Sequence, residues 1–168
     1  MKHFIFILFI CLSTLANAQK FAYVDSEYIL ERIPEYETAQ KELDKLAVNW
    51  QAEIEAIYQE IDQMYKKYQA DQILLTQEMK SKRESEIINK EKEAKDLQRK
   101  RFGPDGDLFN KRKELVQPIQ DKLYNAIQDF SKEKRYDVIF DKSSQLIMLY
   151  SNESLDKSDD ILKILGYK

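Results

Sequence analysis

The chain has 168 residues, of which 34% are charged, and a formal net charge of −3 at pH 7. Its single histidine is His3 and its single cysteine is Cys11, so the rest of the sequence offers no ordinary zinc site, Cys nucleophile, His general base or disulfide framework. The three glycines lack the spacing of a phosphate-binding loop, and the acidic balance argues against nucleic acid as a partner. We therefore expect no catalytic residue, no cofactor and no metal.

The N-terminus has the order of a secretory signal peptide. A basic start is followed by an apolar run over Phe4–Leu12, too short to span a bilayer, and then by Ala16-Asn17-Ala18. This pattern predicts a signal peptide over residues 1–18, cleaved between Ala18 and Gln19. Cys11 follows an isoleucine, which does not suit lipid attachment. The exported chain would carry 26 basic and 30 acidic side chains, a net charge of −4.

A short strand and a long helix come next. Phe21–Val24 combines aromatic and β-branched residues, which predicts a strand. Over Tyr36–Gln72 apolar residues recur at steps of three and four, which predicts a helix about 55 Å long at 1.5 Å per residue. Pro34 suits its first turn. Two successive steps of four between Leu46 and Ile54 place one stutter in this coiled-coil seam.

A turn over Gln69–Thr76 leads into a return stretch, residues 77–135, which repeats the helical spacing. Gly103-Pro104-Asp105-Gly106 cannot continue a regular helix and predicts a hinge at Gly103, Pro104 and Gly106. Asp105-Gly106-Asp107 faintly resembles a calcium loop, but the further oxygen ligands are missing, so the hinge is favoured.

The C-terminal part returns to short elements. Tyr136–Phe140 and Leu146–Tyr150 are rich in aromatic and aliphatic residues and predict strands. A last helix is expected from near Ser158 to Gly166, with acidic residues in its first turn.

The simplest closure brings residues 19–35 and 136–168 together as one small head, with residues 36–135 as an arm. The predicted fold class is mainly α with a small β head: a long antiparallel helical-hairpin (coiled-coil) arm plus a short-stranded oligomerisation body built from both ends of the chain. So small a head exposes strand edges and lacks a sufficient core, which predicts a homo-oligomer. The candidate oligomerisation residues are Phe21, Tyr23, Val138, Phe140, Leu146 and Met148.

In this order of parts the chain resembles the Skp/OmpH family. The stretches that carry the resemblance are Lys20–Asp25, Tyr28–Leu30, Leu115–Gln120, Tyr136–Asp141 and Asp156–Leu165, together with the signal peptide and the hairpin. The resemblance implies a periplasmic trimer with a β body and three helical tentacles that enclose a cavity for unfolded outer-membrane proteins. The sequence departs from well-known members in its acidic charge and in the Gly103–Gly106 break.

Two groups of apolar residues are candidate contacts with such clients. Ile73, Leu74 and Leu75 are consecutive at the tip and cannot all be buried by one hairpin, so either they contact clients or they pack on a neighbouring tip. Tyr58 and Tyr65 lie seven residues apart beside the seam. They could offer apolar faces to a client, but widening the packed stripe is the favoured interpretation.

Residues 73–102 are the clearly basic segment, with nine basic and six acidic side chains. A peripheral contact with anionic lipid, lipopolysaccharide or client is one interpretation, and a solvated face with i,i+4 ion pairs is the favoured one.

These observations predict an ATP-independent periplasmic holdase chaperone and not an enzyme. The alternative is a structural periplasmic coiled-coil spacer or scaffold with one folded envelope partner, whose helices would look the same. The two are distinguished by whether the purified protein suppresses the aggregation of β-barrel proteins diluted from urea.

Overall fold

A computed structural model describes residues 19–144 and 148–167 of the chain. The elements, in chain order, are β1 (Phe21–Val24), α1 (Ser26–Glu31), α2 (Pro34–Asp71), α3 (Gln77–Phe102), α4 (Asp107–Lys134), β2 (Val138–Asp141), a 3-10 turn (Glu153–Leu155) and α5 (Ser158–Leu165). They form two compact units. The hairpin unit is Ile33–Asp121, and the terminal unit contains the described residues up to Arg32 and from Lys122 onward.

The hairpin unit is built on α2, a continuous helix of 38 residues. Ile33 precedes it in an extended conformation and Pro34 occupies its first turn, where the missing N–H has no intrahelical acceptor to lose. A stripe of apolar residues on α2 is buried: Ala39, Leu43, Ile54 and Ile61. Their spacing of four, eleven and seven residues keeps them on one face, because the α-helix has 3.6 residues per turn.

The return chain covers this stripe with two helices. α3 packs along α2 and buries Ile87 and Ala94. The start of α2 instead meets α4, where Ala39, Leu43 and Val116 form a small core. Partly buried apolar side chains surround that core: Tyr36, Leu108, Leu115 and Ile119. The predicted outgoing helix and the interrupted return are therefore both present.

The terminal unit contains a two-stranded parallel sheet made from both ends of the chain. β1 pairs with β2 in a register that runs from Phe21 opposite Val138 to Val24 opposite Asp141. On its other side, β1 receives a hydrogen bond of 2.9 Å from the N–H of Lys157 to the carbonyl of Tyr23. Ala22, Tyr23 and Val24 are buried as a result.

Two short helices close this unit. α1 packs on α5, and their buried residues are Ile29, Leu30, Ile161 and Leu162. The N–H of Asp25 donates to Oγ of Ser158 at 2.9 Å, so the buried hydroxyl of Ser158 is paired. Asp25 also caps α1, since its carboxylate accepts from the N–H of Tyr28 at 3.0 Å.

The predicted fold class is confirmed, in that the chain is mainly helical, with long helices and a small sheet formed by both chain ends. A third strand over Leu146–Tyr150 is not found in the described part of that segment, 148–150. Residues 145–147 lie outside the described residues, as does the predicted signal peptide. Leu149 and Tyr150 are strongly exposed, which shows that apolar composition without a ladder partner does not make a strand. The domain boundaries at 35/36 and 135/136 stay a prediction.

Candidate functional site

The end of the hairpin presents consecutive apolar side chains to solvent. After α2 ends, the N–H of Leu74 donates to the carbonyl of Asp71 at 2.8 Å, and Thr76 caps α3 by accepting from Met79. This turn leaves Ile73 95% exposed and Leu74 84% exposed, while Leu75 is half-buried. The three predicted contact residues thus lie together, and two of them pack on nothing within their own hairpin.

The two candidate tyrosines on α2 differ in what holds them. The hydroxyl of Tyr65 donates to Glu91 of α3 at 2.9 Å, and this hydrogen bond raises the pKa of Tyr65 above its ordinary value. Tyr58 and Tyr65 are each about two-fifths exposed. Tyr65 therefore ties α2 to α3 while leaving part of its ring in solvent, and the predicted contact with clients stays a prediction for both residues.

The predicted hinge is a tight, hydrogen-bonded turn. The N–H of Gly103 donates to the carbonyl of Arg99 at 2.8 Å, and the N–H of Gly106 donates to the carbonyl of Gly103 at 2.9 Å. A Cβ on Gly103 would lie 2.4 Å from the Arg99 oxygen, and one on Gly106 would lie 2.8 Å from the Lys100 oxygen. Both glycines are therefore required by close backbone approach. Pro104, between them, is exposed. Whether the turn moves stays a prediction.

An apolar face covers one side of the small sheet. The rings of Phe21 and Phe140 stack, with centroids 6.4 Å apart, and both remain about two-fifths exposed. A cavity of about 320 Å³ lies beside them, and Met148 and Leu155 line it as well. Val138 is exposed to the same extent as Phe140.

Of the other predicted assembly residues, Tyr23 is buried within its own unit, and Leu146 lies outside the described residues. Sequence analysis missed Leu155, which is two-fifths exposed on this face. It lies between polar residues, outside any apolar run, and so gave no signal.

Lys90 of the basic segment, residues 73–102, forms ion pairs, whereas other lysines of the segment are exposed. Nζ of Lys90 lies 3.0 Å from a carboxylate oxygen of Glu60 and 3.2 Å from one of Glu93, and these hydrogen bonds raise the pKa of Lys90. Lys82, Lys92 and Lys95 are exposed. A contact with anionic lipid therefore stays a prediction.

Neither a membrane span nor a metal site is found in the described part of the chain. Within residues 19–144 and 148–167, no helix combines the length and apolar character needed to cross a membrane. The same ranges hold no group of three His, Cys, Asp or Glu side chains placed to bind a metal ion. Asp107, which the faint calcium pattern included, is paired with Arg101 at 2.6 Å.

Comparison with known proteins identifies the family of this chain. The model of a family described as outer membrane protein (OmpH-like) matches residues 20–165. The chain belongs to the OmpH-like family. The match spans both the hairpin unit and the terminal unit, so the family resemblance predicted from the sequence is confirmed.

Two relatives agree with this membership in the OmpH-like family. The chain is 23% identical over 156 residues to the chaperone protein Skp of Yersinia enterocolitica, with 90% of this chain and 88% of that protein covered. It is also similar in fold to the crystal structure of a putative outer membrane chaperone (OmpH-like) from Caulobacter crescentus, with a TM-score of 0.68 at 14% identity. That match covers 88% of this chain and 84% of the other. The family membership and the Skp relative agree with the expectation that the protein is not an enzyme.

Proposed function

We propose that this OmpH-like protein is an ATP-independent periplasmic holdase chaperone that binds unfolded outer-membrane proteins and prevents their aggregation. The hairpin unit acts as an arm, and clients are held in a cavity between the arms of a homo-oligomer. The observation that carries the proposal is the arm tip, where Ile73 and Leu74 are almost fully exposed at the end of a 38-residue helix. Exposed apolar side chains on a soluble surface are typical of sites that contact another protein.

The mode of binding follows from the shape of this surface. The described residues of the arm offer a narrow two-helix hairpin, so a client is held by many weak apolar and charge contacts. Such contacts favour the unfolded state of the client, because that state exposes the most apolar surface. Release then follows by mass action as the client folds or is transferred, and requires no nucleotide.

The terminal unit is proposed as the assembly head. Phe21, Val138, Phe140 and Leu155 are each about two-fifths exposed, and an intersubunit contact would bury them. Burial of apolar surface contributes about 25 cal/mol per Å², so a shared face of this kind stabilises an oligomer. The number of three subunits and the periplasmic location rest on the resemblance to the Skp/OmpH family and on the predicted signal peptide.

The test is suppression of aggregation. β-barrel proteins unfolded in urea are diluted with and without the purified protein, and light scattering is followed. We expect the protein to suppress scattering at a fixed ratio to client, without added ATP. No suppression, together with capture of a single folded envelope protein, would establish the scaffold alternative instead.

A further inference from the structure

Arg101, in the last turn of α3, joins three helices through one side chain. Its Nη1 donates to Asp107, the first residue of α4, at 2.6 Å. Its Nη2 donates to Glu53 in the middle of α2 at 3.2 Å. Arg101 lies before the break, and its rigid guanidinium holds one carboxylate beyond the break on α4 and another on α2. The ends of α3 and α4 are therefore fixed relative to each other and to α2.

The guanidinium is also stacked and largely shielded from water. Its central carbon lies 4.9 Å from the centre of the Trp50 ring, a cation–π contact. The Arg101 side chain is only 23% exposed, and its Nε is buried with no hydrogen-bond partner among the described residues. A cation removed from water in this way depends strongly on its two carboxylates, since losing either leaves a poorly hydrated charge.

The helix that faces the Gly103–Gly106 break is continuous. α2 passes the Gly103–Gly106 turn without interruption, and Trp50 also meets Phe102 there at a centroid distance of 6.4 Å. The turn itself has no buried apolar side chain, because Pro104 and Asp105 are exposed and the other two residues are glycines. What holds the turn against α2 is therefore the neighbouring pair Arg101 and Phe102.

We propose that Arg101 is a latch on the Gly103–Gly106 turn. The latch stays closed while both ion pairs are made, and it opens when salt screens these pairs or when other anions replace Glu53 and Asp107. The turn is then neither a free hinge nor a permanently rigid corner. Its opening is controlled by charge, because two of the three contacts that Arg101 makes are ionic and partly accessible to solvent. The latch itself does not depend on the proposed function. Only its use rests on that function: an opened turn would let the arm adapt to clients of different size.

Hydrogen exchange of the backbone amides tests the latch without any client. The N–H of Gly106 donates to Gly103 within the turn. The N–H of Gly103 and the N–H of Asn110 join the turn to the adjoining ends of α3 and α4, so exchange of all three reports its opening. In the wild-type protein we expect exchange of residues 99–110 to accelerate about fivefold between about 0.05 M and about 1 M NaCl. In Arg101→Met, which keeps an apolar stem on Trp50, exchange should be fast at both salt concentrations.

Two further variants complete the test. Lys100→Met removes the same charge from the same turn of α3, where Lys100 is exposed, and should behave as wild type. Glu53→Gln keeps the shape of the side chain and should reproduce most of the effect of Arg101→Met. Equal exchange in wild type and Arg101→Met, or equal acceleration in Lys100→Met, would overturn the latch. Aggregation assays on the same proteins report the proposed function separately, since they do not depend on the exchange result.

Discussion

The rings of Trp50 and Phe102 meet edge to face, with their centroids 6.4 Å apart and their planes at 81°. Trp50 lies at the stutter of the α2 seam, and Phe102 is the last residue of α3. The stutter in the seam of α2 is therefore packed against the end of α3. A stutter changes the local supercoil, and an end in the partner helix accommodates that change without strain.

Trp50→Ala should destabilise the hairpin unit. The side chain is half-buried and has both an aromatic and a cationic neighbour, so we expect a loss of about 2 kcal/mol in the free energy of unfolding, less than for a fully buried tryptophan. Urea unfolding followed by circular dichroism measures it. Val48→Ala on the same helix is the control, since Val48 is 68% exposed and should change stability by less than about 0.5 kcal/mol. Equal losses in the two variants would contradict the packing role of Trp50.

The apolar face of the terminal unit should control assembly. Val138→Asp or Phe140→Asp places a charge on this face, and burying an unpaired charge in an interface is costly, so the oligomer should dissociate while most helicity remains. Sedimentation equilibrium gives the mass. Val48→Asp makes the same kind of change on the hairpin unit and should leave the mass unaltered. If both head variants sediment like wild type, subunits do not meet through this face.

The arm tip should control capture. Replacing Ile73, Leu74 and Leu75 together with Ser removes the exposed apolar surface, and client holding in the scattering assay should weaken without a change in oligomer mass. Ile88→Ser, at an exposed site on α3 away from the tip, is the control. Undiminished holding by the triple variant would assign these residues to packing against a neighbouring tip.

The turn between α3 and α4 should allow the protein to accept large clients. Replacing Gly103, Pro104 and Gly106 together with Ala cannot keep the present turn, because two of the new Cβ atoms would collide with backbone carbonyls. Alanine favours helix, so we expect higher helicity by circular dichroism and poorer protection of large clients, with small clients held nearly as well. Pro104→Ala alone retains both glycines and is the control. Equal protection of both client sizes, despite added helicity, would make the turn purely architectural.

Acid should destabilise the terminal unit through Asp141. Burial acts to raise the pKa of this carboxyl, but hydrogen bonds from Ser26 and Ser143 outweigh it and lower the pKa below the ordinary value of 3.8. A carboxyl whose pKa is lowered by folding stabilises the folded state above its unfolded pKa, and this contribution is lost as pH falls through the folded pKa.

The stability difference between wild type and Asp141→Asn should therefore be constant near neutral pH and shrink below about pH 4. Urea midpoints measured across this range test it. Asp129→Asn, at an exposed site on α4, should show no such trend. A difference that grows on acidification would mean that Asp141 is not stabilised as a carboxylate.

Much of the fold could be predicted from the sequence, because the long helices carry a periodic apolar stripe and clear end signals. Pro34, Thr76 and Gly166 lie at helix ends, as expected. The α1 helix was not predicted, since its six residues hold too few apolar positions to show a period. Asp25 followed by Glu27 was the signal that could have indicated it.

The candidate sites were only partly predictable. The exposure of Ile73 and Leu74 follows from their place at a turn, which the sequence shows. The latch does not, because Glu53, Arg101 and Asp107 lie on three different helices and meet only when the register of α2 against α3 is known. Sequence analysis counted Arg101 among several basic residues of a solvated face, whereas it is largely shielded.

The pairing of β1 with β2 has a consequence for the order of folding. Lys20 donates its N–H to the carboxylate of Asp137, a residue 117 positions later in the chain, beside the first rung of the sheet. The individual helices form from local contacts, and the tip of the hairpin closes over a short turn, while β1 has to wait for its partner strand across that long loop. During synthesis, the first strand therefore emerges as an unpaired edge and stays one until Val138–Asp141 has been made.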